Sequence, residues 1–436
     1  MISFLSKIFK TTLRSGAVRQ SATLTIGTTV TAMIMAVATI VAGRVLGPEQ
    51  FGVFSVSISL MGFLTVGTSL GLNQLIPRLM NRWHDQPSKK KELLSEVIYL
   101  KLLFSGVFLA VIGFGVPFIA RFLNYPYPGM IWWAILGVVG MAIYEHVYLV
   151  LSASHKFVGV SVLSIVQAVL KSIGFLVVWW LLDGNLFGFT AVYYVAPLLA
   201  ALWIGWKWKN LTWAHPRLAR GEVRSEIRKF FFHSLLGVLA MTIISNIDLL
   251  FVQKSLQSFD AGIYAGASRI ALFVGFIASS VGGVLNNRVA RYSDKATLTR
   301  YLIKSLILVV ISIIGFLLYL PLARLSLSLT IGPEYMSGLS VLIILVLNAF
   351  ISLAVVPYIS FFYAVDYPHY FSIGGILQVC IIILGNVFFL EKYGISAAAW
   401  TRTIATVAFA IYTAVFTWYA WKRLPQNKVI KTAKTE

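Results

Sequence analysis

Apolar residues in this chain run in blocks of about 20, the length a helix needs to cross a hydrocarbon core of about 30 Å. Roughly twelve such blocks lie near 22–42, 50–76, 97–121, 130–153, 158–182, 186–206, 230–253, 262–285, 303–325, 338–360, 371–390 and 397–420. They take up most of the chain, and no interval between them could hold a separate soluble domain. The pattern predicts an all-α polytopic membrane protein. Its expected layout is an amphipathic segment at 1–21, a six-helix half at 22–206, a basic linker at 207–229, a second six-helix half at 230–420 and a basic tail at 421–436.

Composition agrees: 58% of the 436 residues are hydrophobic and 12% are charged, against roughly a quarter charged in an ordinary soluble domain. A single cysteine, Cys380, excludes a disulfide scaffold and a cysteine-built metal site. The net charge of +21 comes from 36 Lys and Arg against 15 Asp and Glu. In a soluble chain this excess would point to nucleic acid; in one this apolar it points to loops facing the cytoplasm. The basic residues gather on one side of the expected topology, from Lys7 to Arg19, Arg78 to Lys101, Lys207 to Lys229, Arg288 to Lys304 and Lys422 to Lys434. The opposite side holds Arg44, Arg121, Lys254, Arg324 and Lys392. The positive-inside rule therefore places both termini in the cytoplasm. The first residues read as a short basic amphipathic helix on the inner leaflet rather than a cleaved signal.

An internal echo appears at an offset of 210 residues. Phe51-Gly52-Val53-Phe54 matches Ala261-Gly262-Ile263-Tyr264, Arg44 matches Lys254, and Arg78 matches Arg288. Ala120-Arg121 pairs more loosely with Ala323-Arg324. Six spans per half keep the two repeats parallel, the arrangement by which many transporters enclose a central cavity.

Several segments carry a family likeness. Arg44-Val45-Leu46-Gly47-Pro48-Glu49-Gln50-Phe51-Gly52, Leu70-Gly71-Leu72 leading to Ile76-Pro77-Arg78, Ile331-Gly332-Pro333-Glu334-Tyr335 and Tyr393-Gly394-Ile395 together resemble polysaccharide-export flippases of the O-antigen and teichuronic-acid type. These belong to the multidrug/oligosaccharidyl-lipid/polysaccharide flippase superfamily. Ala397 departs from the pattern, where a glycine is expected. Independently of the family, Gly47-Pro48 is a turn signal, with Pro48 suited to open the next helix.

Gly67-Thr68-Ser69-Leu70-Gly71 formally matches a hydrolase nucleophile elbow, but it lies in an apolar span and lacks a strand-to-helix context. Gly67 with Gly71, and Gly262 with Gly266, are read as helix-packing pairs. Ser55, Ser59, Gly62, Val66, Ser69 and Asn73 form one small, mostly polar stripe; His233, Gly237, Met241, Ser245 and Asp248 form another. Either stripe is a packing surface or a cavity lining.

Ionisable residues inside spans are the sharpest signal, since each costs about 3 kcal/mol at the bilayer centre even on the lenient insertion scale. Lys171, Arg269 and Arg402 are candidate anion-binding groups, with Arg44 at the interface. Asp248, Glu145 and His146 are candidates for coupling or ion pairing. The structural readings are an Asp248–Arg269 pair, a Lys171–Glu145 pair and an Arg402 that snorkels to the surface.

The resemblance implies transport of a polyprenyl-diphosphate-linked oligosaccharide by alternating access. Lys and Arg would hold the diphosphate, and a proton gradient, a sodium gradient or the membrane potential would supply drive; no cofactor is expected. The expected partners are that glycolipid, membrane lipids and polysaccharide polymerase machinery, and not nucleic acid. One alternative is a multidrug antiporter of the same superfamily, which would favour carboxylates in its cavity. Another is a membrane-embedded polymerase or glycosyltransferase, which would need a larger extramembrane loop.

Overall fold

A computed structural model describes residues 16–83, 85–154, 156–207, 221–289, 292, 295–365 and 368–423. The amphipathic segment expected at the start, most of the basic linker and the tail beyond Arg423 lie outside the described residues, as do the side chains of Arg78 and His233. Among the described residues every regular element is helical. In order they are α1 (Gly16–Ser69), α2 (Leu72–Arg82), α3 (Pro87–Phe122), α4 (Pro128–Ala153), α5 (Phe157–Leu181), α6 (Leu186–Lys207), α7 (Glu222–Leu256), α8 (Ser258–Val289) and α9 (Lys295–Tyr319). After a 3-10 turn come α10 (Ala323–Thr330), the 3-10 segment Pro333–Gly338, α11 (Leu339–Ala364), α12 (Pro368–Tyr393) and α13 (Ile395–Arg423). Helix is the expected outcome, because backbone groups in hydrocarbon find no water and must bond within their own segment.

Eleven described helices are long and apolar enough to cross a membrane. The first, Gly27–Ser69, has 43 residues, about 65 Å at 1.5 Å per residue and so twice a bilayer core. It contains the first two expected spans, joined at Gly47, whose φ of 67° and ψ of 171° are not helical. The second span is shorter than its apolar run implied. It ends at Ser69, and Leu70 and Gly71 turn the chain with φ of 42° and 82°. Gly67 and Gly71 therefore do not share a helix face, and Asn73 leaves the expected stripe for α2.

The fold divides into two compact units. In the first, residues up to Leu46 join Val56–Thr242. Here α2 buries Leu72, Leu75, Ile76, Leu79 and Met80, an i, i+3, i+4, i+7, i+8 stripe. That stripe packs with Leu93 and Val97 of α3, Val147 and Leu151 of α4, Leu163 of α5, Ile204 of α6 and Ile227 of α7. Ion pairs add to the same end: Arg82–Glu226 at 2.5 Å, Lys89–Glu222 at 2.6 Å and Arg224–Glu96 at 3.9 Å. Elsewhere apolar side chains face outward. Phe114 of α3, for example, is 91% exposed, as expected where lipid is the solvent.

The second unit comprises Gly47–Ser55 and the chain from Ile243 onward. Its tightest contact joins the two copies of the repeat. A Cβ on Gly52 would lie 1.8 Å from the Ser258 carbonyl oxygen, and one on Gly262 would lie 1.7 Å from that of Pro48. Pro48 and Ser258, like Gly52 and Gly262, stand 210 positions apart, so the crossing is reciprocal. Phe51 meets the buried Tyr335 ring edge-on at 6.3 Å, and Tyr335 lies where a Gly266 side chain would be. Gly332 (φ 122°) and Gly394 (φ 63°) turn the chain at the other two family-like motifs.

Candidate functional site

Four helices of the second unit converge on one carboxylate. Asp248 on α7 is 2% exposed. Its Oδ2 accepts from Arg402 Nη1 of α13 at 2.6 Å and from the Tyr264 hydroxyl of α8 at 3.2 Å. Its Oδ1 accepts from Asn386 Nδ2 of α12 at 3.1 Å. Arg402 Nη1 also donates to the Ile244 carbonyl at 2.9 Å, and Asn386 Nδ2 to that of Ile382 at 2.8 Å. The ion pair expected between Asp248 and Arg269 is thus made by Arg402 instead, and Arg402 is not a surface-snorkelling residue. Both arginines suit Asp248 by depth, since each lies a few turns from the same end of its hairpin. Both helices reach Asp248, but α8 presents Tyr264 to it and α13 presents Arg402. Arg269, half-buried on α8, has its Nε shielded from solvent.

In the first unit, Lys171 on α5 is 4% exposed, and its Nζ sits 3.5 Å from the ring centroid of Tyr193 on α6. The expected Lys171–Glu145 pair does not form. Glu145 of α4 instead accepts from Asn73 Nδ2 of α2 at 2.7 Å. Lys101 of α3 is close enough to act electrostatically on Glu145 and on His146. Lys101 is 6% exposed, with no hydrogen bond to its Nζ among the described residues. The His146 Nδ1 is likewise buried and unbonded. The sequence placed Lys101 with the basic loops because it stands near the edge of an apolar run, so its part in this cluster was missed. Tyr193, Tyr264 and Asn386 were also missed, and Asn73 was singled out only as part of a polar stripe; neutral polar residues are common in spans and send no comparable signal.

Arg44 is exposed, three residues before the Gly47 turn. The two polar stripes have different environments. Ser55, Ser59, Val66 and Ser69 of α1 are buried. On α7, by contrast, Met241 is 52% exposed, Ser245 is exposed, and a Cβ on Gly237 would meet nothing within 4 Å among the described residues.

Solved structures share this fold. A lipid II flippase, MurJ, in an inward closed conformation superposes with a TM-score of 0.74 at 14% identity, covering 92% of this chain and 89% of that one. An inward-facing multidrug resistance MATE family transporter of the MOP superfamily gives 0.67 at 14% identity, over 90% of this chain and 96% of its own. A mutant of the Vibrio cholerae MATE transporter VcmN gives 0.59 at 15% identity, over 93% and 96%. At such identities the likeness is one of fold. No curated protein sequence matches the chain. The sequence profile described as Polysaccharide biosynthesis protein matches residues 17–286, more than half the chain, and with its helices and glycine turns in place the chain belongs to that family.

Proposed function

We propose that the chain translocates a polyprenyl-diphosphate-linked oligosaccharide, a precursor of cell-surface polysaccharide, from the inner to the outer leaflet by alternating access. The observation that carries this reading is Lys171, an ammonium buried in a span against the Tyr193 ring and making no ion pair with a carboxylate among the described residues. A cation on an aromatic face recovers about 2 kcal/mol when desolvated, less than the roughly 3 kcal/mol a membrane charge costs. An anionic ligand offsets the remainder. Arg402 is already neutralised by Asp248, so in the first unit the anion-binding role falls to Lys171, with Arg44 a candidate at the interface; Arg269 is the candidate cation of the second unit, taken by itself.

In this reading the diphosphate exchanges its hydration for Lys171 while the polyprenyl tail stays in lipid, and no covalent step occurs. The Asn73–Glu145–Lys101–His146 cluster is the candidate for proton or sodium coupling. A potential negative inside also drives an anionic head outward by about 2.3 kcal/mol per charge per 100 mV. The charge distribution supports cytoplasmic termini; this reading places the chain in a prokaryotic cytoplasmic membrane, where polymerase machinery would take up the product.

The test is reconstitution with a fluorescent diphosphate-linked glycolipid and translocation measured under an imposed potential. Lys171→Met removes the buried charge without leaving a polar orphan, so the protein stays folded while translocation falls by tenfold or more. Wild-type translocation by that variant would overturn the reading. Parallel measurement of cationic dye efflux separates the multidrug alternative, which the MATE-like fold keeps open.

A further inference from the structure

We propose that the second unit carries a binding site for an anionic phospholipid, in a groove of about 510 Å³ lined by α8, α9 and α11. The site is independent of the transported substrate. It follows from a single stripe of α9. Arg300, Lys304, Leu308 and Ile311 recur at steps of four, four and three, so they share one helix face. The stripe begins with two cations and continues apolar, and Lys304 and Ile311 are separated by about 10 Å of helix. That is the order of a phospholipid read from phosphate to acyl chain.

The environment of each part fits this order. Arg300 and Lys304 are exposed and make no ion pair among the described residues. Neighbouring cations at the same end of the unit are occupied: Lys295 on the Trp421 ring at 4.9 Å, Lys422 on Trp418 at 3.9 Å and Arg423 on Tyr419 at 4.2 Å. Further along, Ile307 and Ile311 are 61% and 53% exposed, so the apolar part opens sideways to lipid. Leu285 of α8 and Pro357 of α11 line the groove too, and the Tyr301 hydroxyl is engaged by the Pro357 carbonyl at 2.8 Å. A free phosphate would use the cations and leave the apolar stripe empty. A zwitterionic lipid would bring no net charge to two cations. An anionic phospholipid satisfies both.

Native mass spectrometry of the full chain with dioleoylphosphatidylglycerol and dioleoylphosphatidylcholine at equal concentration tests the proposal. The wild type is expected to retain the anionic lipid in preference, and the double variant Arg300→Gln/Lys304→Gln to lose about tenfold of that preference. Both positions are exposed, so folding is not at stake. Lys422→Gln, a cation already seated on a ring, should leave the preference intact. Leu308→Trp, which fills the apolar part with both cations kept, should lower retention as well. An unchanged preference in the double variant would overturn the proposal. So would displacement of the lipid by inorganic phosphate, or by a polyprenyl diphosphate at equal concentration; the latter would make the groove a substrate site.

Discussion

Replacing Arg402 by methionine removes the cation from a carboxylate that is 2% exposed and leaves it to Asn386 and Tyr264. Breaking a buried pair from one side costs about 3–5 kcal/mol, because the surviving charge stays desolvated. Two neutral donors remain on Asp248, so the lower end of that range, about 3 kcal/mol, is expected for Arg402→Met. Asp248→Asn strands the cation instead. The Arg402 side chain keeps 26% of its surface exposed and holds the Ile244 carbonyl, so this loss should be smaller, about 2 kcal/mol. The double variant buries no charge and should lie within about 1 kcal/mol of wild type, since a buried pair and a neutral replacement are close in energy. SDS-induced unfolding in mixed micelles, analysed as a double-mutant cycle, gives the coupling directly. A coupling above about 2 kcal/mol is expected. Additive losses, or an Arg402→Met variant as stable as wild type, would refute the pairing. Arg269→Met should show no such coupling to Asp248→Asn.

Four glycine substitutions test packing and path. Gly52→Ala and Gly262→Ala each drive a methyl into a backbone carbonyl at 1.8 or 1.7 Å, and neither carbonyl can rotate away; a loss of about 3 kcal/mol or more is expected in the same unfolding assay. Gly275→Ala on the same α8, whose added Cβ meets nothing within 4 Å, should be neutral or stabilising. Gly237→Leu on the open face of α7 should fold normally yet slow glycolipid translocation at least tenfold; wild-type translocation would make that face a lipid contact rather than part of a path.

The glycine crossing shows how sequence and structure divide the information. The 210-residue echo marks Gly52 and Gly262 as equivalent, but similarity between apolar segments carries no statement that they touch. The structure brings them together, and only there does the absence of both side chains acquire a reason. The α1 stripe shows the opposite limit. Its periodicity assumes an unbroken helix, and the Leu70-Gly71 turn ends that helix after Ser69. Turn residues inside an apolar run are hard to weigh, because hydropathy averages over them.

Taken by itself, the sequence determines that this chain crosses a membrane about twelve times as helix, and that Lys171, Glu145, His146, Asp248, Arg269 and Arg402 sit where charge is costly. These are local properties, legible because transfer free energy is a sum over residues within one span. Tertiary structure alone decides which charges neutralise each other. Asp248 draws its partners from α8, α12 and α13, up to 154 positions away, and Glu145 of α4 takes Asn73 of α2. Ion pairing falls off within a few ångströms, and only the packing of helices sets distances on that scale. By pairing Asp248 with Arg402 and setting Lys171 on the Tyr193 ring, the fold gives two intramembrane cations different partners.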